Sequence, residues 1–318
     1  MTKEHKIRWG WIYVLTFVGM FIISVIIKLA FNPLEKYSRV NWNDKVGTMI
    51  LDLPYGDGEA QNFDLYLPAD STCESYGLVV YLHAGGFTSG DKAGDRNMLQ
   101  WLCSKGYVAA GINYTLCSEA HPETSVHSQS VEIRESMPKV VAEAAKRGYR
   151  IDRMAISGGS AGGTLALLYA YRDAAESPVP VRMVFEMVGP PSFIPADWGI
   201  YGLDQSPEAA AALFSTMSGC NITPEIIGTP AYDDNIRCIS AYMWVDSASV
   251  PTLCAYGAKD RICPFHSVRH LIDALERNGV PHHYIECPHS GHGLQNDNRL
   301  MEQYMLLLNK YLDKYMSN

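Results

Sequence analysis

Short apolar runs alternate with longer stretches of helical period along most of this chain. Residues 78–82 form a continuous apolar run, 153–157 and 250–257 read as buried strands, 183–188 reads as the strand after the 163–170 helix, and 283–287 reads as a final short strand. Between them lie helix-like stretches. One begins near Met98 and closes at Gly106. A second covers about 131–147, with Ile133, Met137, Val140, Val141 and Ala144 at helical spacing, and Pro138 should kink it or break it in two. A third follows Gly163, and a fourth follows Asp260. Strand and helix in alternation predict an α/β domain with a mostly parallel sheet and helices on both faces. The connection from about 190 to 248 is far longer than an ordinary βα link. Ser206-Pro207-Glu208 opens a helix inside it, with Ser as the N-cap and Pro at the first helical position. This insertion is expected to act as a lid.

The first residues follow a different rule. From Trp9 to Ile27 no charge occurs, a stretch close to the ~20 residues that span a bilayer. It exceeds the ~7–15 apolar residues of a signal-peptide core and lacks a small-residue cleavage site. The expectation is an uncleaved single-pass membrane anchor within 1–35, followed by one catalytic domain over 36–318. Lys3, Lys6 and Arg8 on one side balance Lys28, Lys36, Arg39 and Lys45 on the other, so loop charge does not fix orientation. The short leading tail and long following domain favour an extracytoplasmic domain. A formal net charge of −8 leaves no electrostatic footprint for nucleic acid.

Chemistry concentrates in four segments. Gly158-Gly159-Ser160-Ala161-Gly162 is a G-x-S-x-G between a predicted strand and a predicted helix. A serine on so tight a turn needs very small neighbours, and the turn lifts its hydroxyl above the sheet. Ser160 is the expected nucleophile. Upstream, His83-Ala84-Gly85-Gly86 follows a buried strand. Backbone N–H groups of Gly85 and Gly86, with that of Ala161, are expected to hold an oxyanion, while His83 braces the loop. Downstream, Asp260 follows the 250–257 strand, and His292 lies between two glycines after the last strand. The order Ser, Asp, His is the order of α/β-hydrolase triads.

These motifs resemble the hormone-sensitive-lipase-like branch of the α/β-hydrolases, near the bacterial acetyl esterases, over about 45–318. The resemblance also implies an early strand at 62–68 and another at 111–114. It departs in three places: Gly159 stands where Asp or Glu is frequent, Thr115 where Arg is frequent, and Ala84 replaces a glycine of the oxyanion loop. The implied activity is hydrolysis of short-chain, acetyl-like carboxylic esters through an acyl-serine, acting on a small-molecule or carbohydrate-linked ester. No metal or organic cofactor is called for, and oligomeric state is left open. A peptidase or amidase would use the same triad, and an inactive tethered binding module would normally show a broken one.

The remaining candidates carry bland readings beside the sharp ones. Trp198, Tyr201, Phe214 and Trp244 would line an acyl or alcohol pocket, or merely pack lid against core. His266 and His270 have a metal-like spacing, but without a third ligand a solvated helix face is the better reading. His289 follows Pro288 and is a poor rival to His292. Cys103, Cys254 and Cys287 fall in core elements, while Cys73, Cys117, Cys220, Cys238 and Cys263 fall in loops.

Overall fold

The computed structural model describes residues 38–317, together with Met20. Apart from Met20, the 9–27 stretch expected to be a membrane anchor lies outside the described residues. Among the described residues no helix is long and apolar enough to cross a membrane.

The strands are β1 Gly47–Pro54, β2 Asn62–Pro68, β3 Tyr76–Leu82, β4 Val108–Ile112, β5 Ile151–Gly159, β6 Val181–Met187, β7 Thr252–Gly257 and β8 His282–Cys287. They form one sheet in the order β1-β2-β4-β3-β5-β6-β7-β8. β2 runs antiparallel to both of its neighbours, and every other pair from β4 to β8 is parallel. This is the α/β-hydrolase architecture. The helices are α1 Arg96–Ser104, α2 Val126–Lys146, α3 Ala161–Leu168, α4 Pro207–Ser218, α5 Pro230–Ile236, α6 Val268–Arg277 and α7 Asn298–Tyr315.

Parallel strands buried on both faces read as continuous apolar runs, which is why β3 was visible in the sequence. Its side chains still alternate. Leu78 and Val80 join the core beneath α2, α3 and α6, whereas Val79 joins the opposite core beneath α1 and α7. On the first face Ile133, Met137 and Val140 of α2 meet Leu165 and Leu168 of α3. On the second, Leu99 and Leu102 of α1 and Tyr304 and Leu308 of α7 cover the sheet.

Several expectations shift. α2 begins at Val126 rather than near 131, on a capping box in which Ser125 and Ser128 bond each other's backbone N–H. It also runs unbroken through Pro138. The proline lies on the exposed face, so the helix loses a hydrogen bond there without losing its buried stripe. β4 ends at Ile112, leaving Asn113 and Tyr114 in the following loop. β1 and α7 extend the architecture beyond the sequence reading. β1 is masked there by a bulge between Ile50 and Leu53, where Asp52 takes a positive φ of 57°.

The bulge serves a buried charge. Lys92 is 3% exposed, and its Nζ sits 2.7 Å from Asp52 Oδ1 and 3.2 Å from Asp64 Oδ1. Asp64, equally sheltered, also accepts the Asp52 N–H at 2.9 Å. Removing one partner of such a pair strands the other in a low-dielectric site. Lys92→Met should therefore lower unfolding free energy by about 3–5 kcal/mol. Lys92→Met/Asp64→Asn should recover a large part of that loss in urea denaturation. An unchanged midpoint in the single variant would remove the pair from the stability account.

Candidate active site

β5 ends at Gly159 and α3 begins at Ala161, so Ser160 alone makes the turn. Its backbone sits at φ 54°, ψ −122°, a conformation that L-residues rarely adopt. Two features hold it there. The Ser160 N–H donates to Met187 O of β6 at 2.8 Å. The flanking glycines permit a close crossing: a Cβ on Gly158 would lie 2.4 Å from the Gly162 carbonyl, and one on Gly162 2.0 Å from Leu82 O. Three more non-glycine residues with positive φ, Phe87, Val188 and Leu294, line cavities around the serine. Backbone strain is thus concentrated at one place.

The structure brings Ser160, His292 and Asp260 into one hydrogen-bonded row. His292 Nε2 lies 2.9 Å from Ser160 Oγ, and His292 Nδ1 lies 2.8 Å from Asp260 Oδ2. The other carboxylate oxygen of Asp260 accepts the N–H groups of Ile262 at 2.8 Å and Cys263 at 3.0 Å. A carboxylate saturated in this way stays put and orients the imidazole, so Nδ1 carries its proton and Nε2 faces the serine hydroxyl as acceptor.

The β3–β5 register pairs Leu82 with Gly158, which sets the His83–Gly86 loop beside the elbow. Gly85 has φ 139°, and a Cβ there would meet Ser89 O at 1.8 Å. Among the described residues no protein group accepts from the N–H of Gly85, Gly86 or Ala161. Gly86 and Ala161 border one cavity at Ser160, and Gly85 and Gly86 border a second. His83 is buried, which pushes its imidazole below its ordinary pKa and keeps it neutral. Its Nδ1 is 2.9 Å from Ala84 O, and its ring stacks on Tyr114 at 4.3 Å. Tyr114 in turn donates its hydroxyl to His83 O. His83 therefore sits in the loop's support and not within the reacting row.

Gln129 escaped the sequence reading. It is fully buried on α2 and donates from Nε2 to Phe87 O at 2.8 Å and Thr115 O at 2.9 Å, tying the oxyanion loop to the helix. The sequence reading started this helix near 131, and Ser125-x-x-Ser128 lacks the Glu or Gln that marks a capping box in sequence, so Gln129 fell outside it. Trp198 and Tyr201 line the cavity at Ser160, as one of their two readings has it. Phe214 and Trp244 do not. Phe214 packs on Phe193, Trp198 and Tyr232 inside the insertion, and Trp244 lies beneath the Arg237 guanidinium. His270 is no solvated residue: its Nε2 lies 2.7 Å from buried Asp197 of the insertion. His289 pairs with Asp297 at 2.8 Å, away from the serine. No group of three metal-type side chains occurs among the described residues. All eight cysteines are free thiols, and Cys263, read as a loop residue, is buried.

Beneath the elbow lies Glu186, fully buried on β6. Its Oε2 accepts the Gly189 N–H at 2.9 Å, and a Cβ on Gly163 would come within 2.9 Å of the same oxygen. Burial pushes its carboxyl up to about 8, so at neutral pH it is largely protonated.

A model of the BD-FAE family matches residues 63–275, more than half of the chain and all of the elbow, oxyanion-loop and Asp260 segments. The chain belongs to the BD-FAE family. Individual relatives are distant. It is 24% identical over 256 residues to the probable carboxylic ester hydrolase LipM of Mycobacterium tuberculosis, covering 76% of this chain and 55% of that protein. It is 27% identical over 124 residues to the kynurenine formamidase of Salmo salar, covering 39% of each. The chain thus spans about half, or less, of the length of these curated relatives. Among solved structures it resembles esterase Est2 of Thermogutta terrifontis in its propionate-bound form, with a TM-score of 0.65 and 18% identity over 87% of this chain and 98% of that one. That likeness establishes the shared fold of this BD-FAE member.

Glu186 generates a pH prediction. Its folded pKa lies above the ordinary carboxylate range, so the folded state holds an extra proton between that range and about pH 8. Stability from this group is full at low pH, falls as pH rises through that window, and levels off above it. Glu186→Gln keeps an acceptor for Gly189 and removes the titration. Urea unfolding at pH 5, 6.5 and 8 should show a shallower decline in the variant. Parallel declines would assign the pH dependence to other groups.

Proposed function

We propose that this protein is a serine carboxylic-ester hydrolase acting on short-chain esters through an acyl-serine. The observation that carries the reading is the row Asp260–His292–Ser160 standing beside three unpaired backbone N–H groups. Ser160 Oγ attacks the ester carbonyl carbon while His292 Nε2 takes its proton. The carbonyl oxygen becomes an oxyanion held by the N–H groups of Gly85, Gly86 and Ala161. Asp260 stabilises the imidazolium. Collapse breaks the bond to the alcohol oxygen, which leaves with the proton from His292, and water then clears the acyl-serine by the same roles in reverse.

Two features favour small acyl groups. The insertion bounds the cavity at Ser160 with Trp198, Leu213 and Met217, so an acyl chain entering it meets a wall rather than an open channel. The structurally similar Thermogutta esterase is known in propionate-bound and butyrate-bound forms. An amide-cleaving reading shares the triad and draws on the similarity to kynurenine formamidase. Comparing p-nitrophenyl butyrate with the matching anilide separates the two.

The 9–27 stretch is proposed as a single-pass anchor with the catalytic domain outside. Gly47, the first residue of β1, pairs with Pro68 at the sheet end opposite Ser160, so the segment leading from the 9–27 stretch enters the sheet away from the pocket. Resistance to a carbonate wash checks the anchor, and protease added to intact cells checks the side. Release into the wash removes the anchor.

Ser160→Ala should cost on the order of 10⁶ in kcat, and Asp260→Asn about 10⁴ through the wrong imidazole tautomer. Organophosphonate labelling mapped by mass spectrometry should fall on Ser160. A label on another serine, or more than a tenth of wild-type rate in Asp260→Asn, would move the assignment elsewhere. Acetyl to butyryl esters should turn over faster than decanoyl ones, and the reverse order would reject the short-chain reading.

A further inference from the structure

Two separate cavities meet at Ser160. The first, about 380 Å³, lies beneath the insertion between Phe87, Val126, Trp198, Leu213 and Met217. The second, about 390 Å³, opens on the other side between Met187, Val188 and Leu294. Four residues border both: Gly86, Ser160, His292 and Ile262. The first three belong to the reacting row or its oxyanion loop. Ile262 alone brings an apolar side chain to the boundary.

Its placement is unusual in two respects. The residue is 58% exposed, although it borders both cavities. Its backbone is pinned on both sides. The Ile262 N–H donates to Asp260 Oδ1 at 2.8 Å, and its carbonyl accepts the Tyr201 hydroxyl of the insertion at 2.8 Å. A β-branched side chain on a fixed backbone has little freedom at χ1. The result is a stiff fin, held by the triad acid below and the insertion above, standing between two apolar spaces.

We propose that Ile262 is a specificity-determining residue that keeps the acyl half and the alcohol half of an ester in separate cavities, and that Tyr201 is the positioning residue that holds it there. This rests on the hydrolase reading and deepens it by naming what limits chain length. With the fin in place, each half of the ester is confined to its own cavity, and the reach of an extended acyl chain is set by where it meets Ile262. With the fin cut back, the cavities merge and a long acyl chain spills across. Each methylene that gains burial contributes about a fourfold factor.

The test uses the full chain and compares substrates within each variant, so a general loss of folding cancels. In Ile262→Ala the ratio of kcat/KM for p-nitrophenyl octanoate to that for the butyrate should rise about tenfold or more. Tyr201→Phe should move the ratio the same way by a smaller factor, while Ile262→Trp should lower it. A matrix of acyl against alcohol lengths should show independent preferences in the wild type and coupled ones in Ile262→Ala. An unchanged ratio in Ile262→Ala, or a loss of butyrate turnover as large as that of octanoate, overturns the proposal.

A second readout separates this idea from the hydrolase reading. Alkyl fluorophosphonates with butyl or octyl arms react as the Ser160 Oγ–P bond forms, the P–F bond breaks, fluoride leaves and His292 takes the hydroxyl proton. The octyl-to-butyl ratio of labelling rates, followed by intact mass, should rise in Ile262→Ala as the ester ratio does. A wild-type protein labelled at Ser160 that cleaves no ester would sink the hydrolase reading, while the labelling ratio still decides the role of Ile262.

Discussion

Everything at the candidate site depends on one backbone constraint, the positive φ of Ser160 at the edge of β5. A serine in that conformation projects its hydroxyl above the sheet, but only if the chain can reverse within a single residue. Gly162 makes the reversal possible by crossing Leu82 at a distance that leaves no room for a methyl group. That crossing also fixes what stands next to the serine. Because Leu82 is the last residue of β3, the loop that follows it must pass beside Ser160. The oxyanion loop is thus placed by strand register; Gly85 is needed there because a Cβ would strike Ser89 O, and Gly86 because its backbone takes a φ of 61°.

Holding such a turn requires polar support from below, and here that support is satisfied on one side only of Glu186 and of Gln129, since the Oε1 of each finds no protein partner among the described residues. Glu186 meets the Gly189 N–H, Tyr256 donates to Gly189 O at 2.6 Å, and Thr164 donates to Pro190 O at 2.9 Å. Together they pin the segment after β6 whose Val188 is itself strained. On the other side Gln129 and Tyr114 pin the oxyanion loop. Strain at the reacting edge and hydrogen-bonded polar groups beneath it belong together, because without the second the first relaxes.

Much of this was legible in the sequence because the chemistry is written in contiguous words. The elbow, the oxyanion loop and the Asp260 loop each follow a largely buried strand, and the His292 loop follows β8, a strand of which only Ile285 and Cys287 are buried. What stayed hidden depends on contacts made across the fold. Gln129 and Glu186 look like any polar residue in a helix or strand until their burial is known. His270 has the look of a surface histidine because its partner Asp197 is 73 residues away. Phe214 and Trp244 could not be told from pocket residues, since aromatic content alone does not say which way a ring faces. β1 hid behind its bulge, and Pro138 suggested a break because the sequence does not show that it faces solvent.

The insertion between β6 and β7 shows how these levels combine. Its own aromatic cluster of Phe193, Trp198, Phe214 and Tyr232 merges with the core beneath α2 and α3. Its outer edge is tied down at several more points. Asp197 reaches His270 and Arg269 on α6, and Tyr201 reaches Ile262 on the loop of the triad acid. A segment with a buried core and several polar ties opens only at a large cost, unlike a loop with few apolar contacts. The cavity it covers is therefore pre-formed, with walls set before any ligand arrives. The same ties that make the wall rigid also carry the position of Ile262, so the shape of the pocket and the orientation of Asp260 are set by one connected group of contacts.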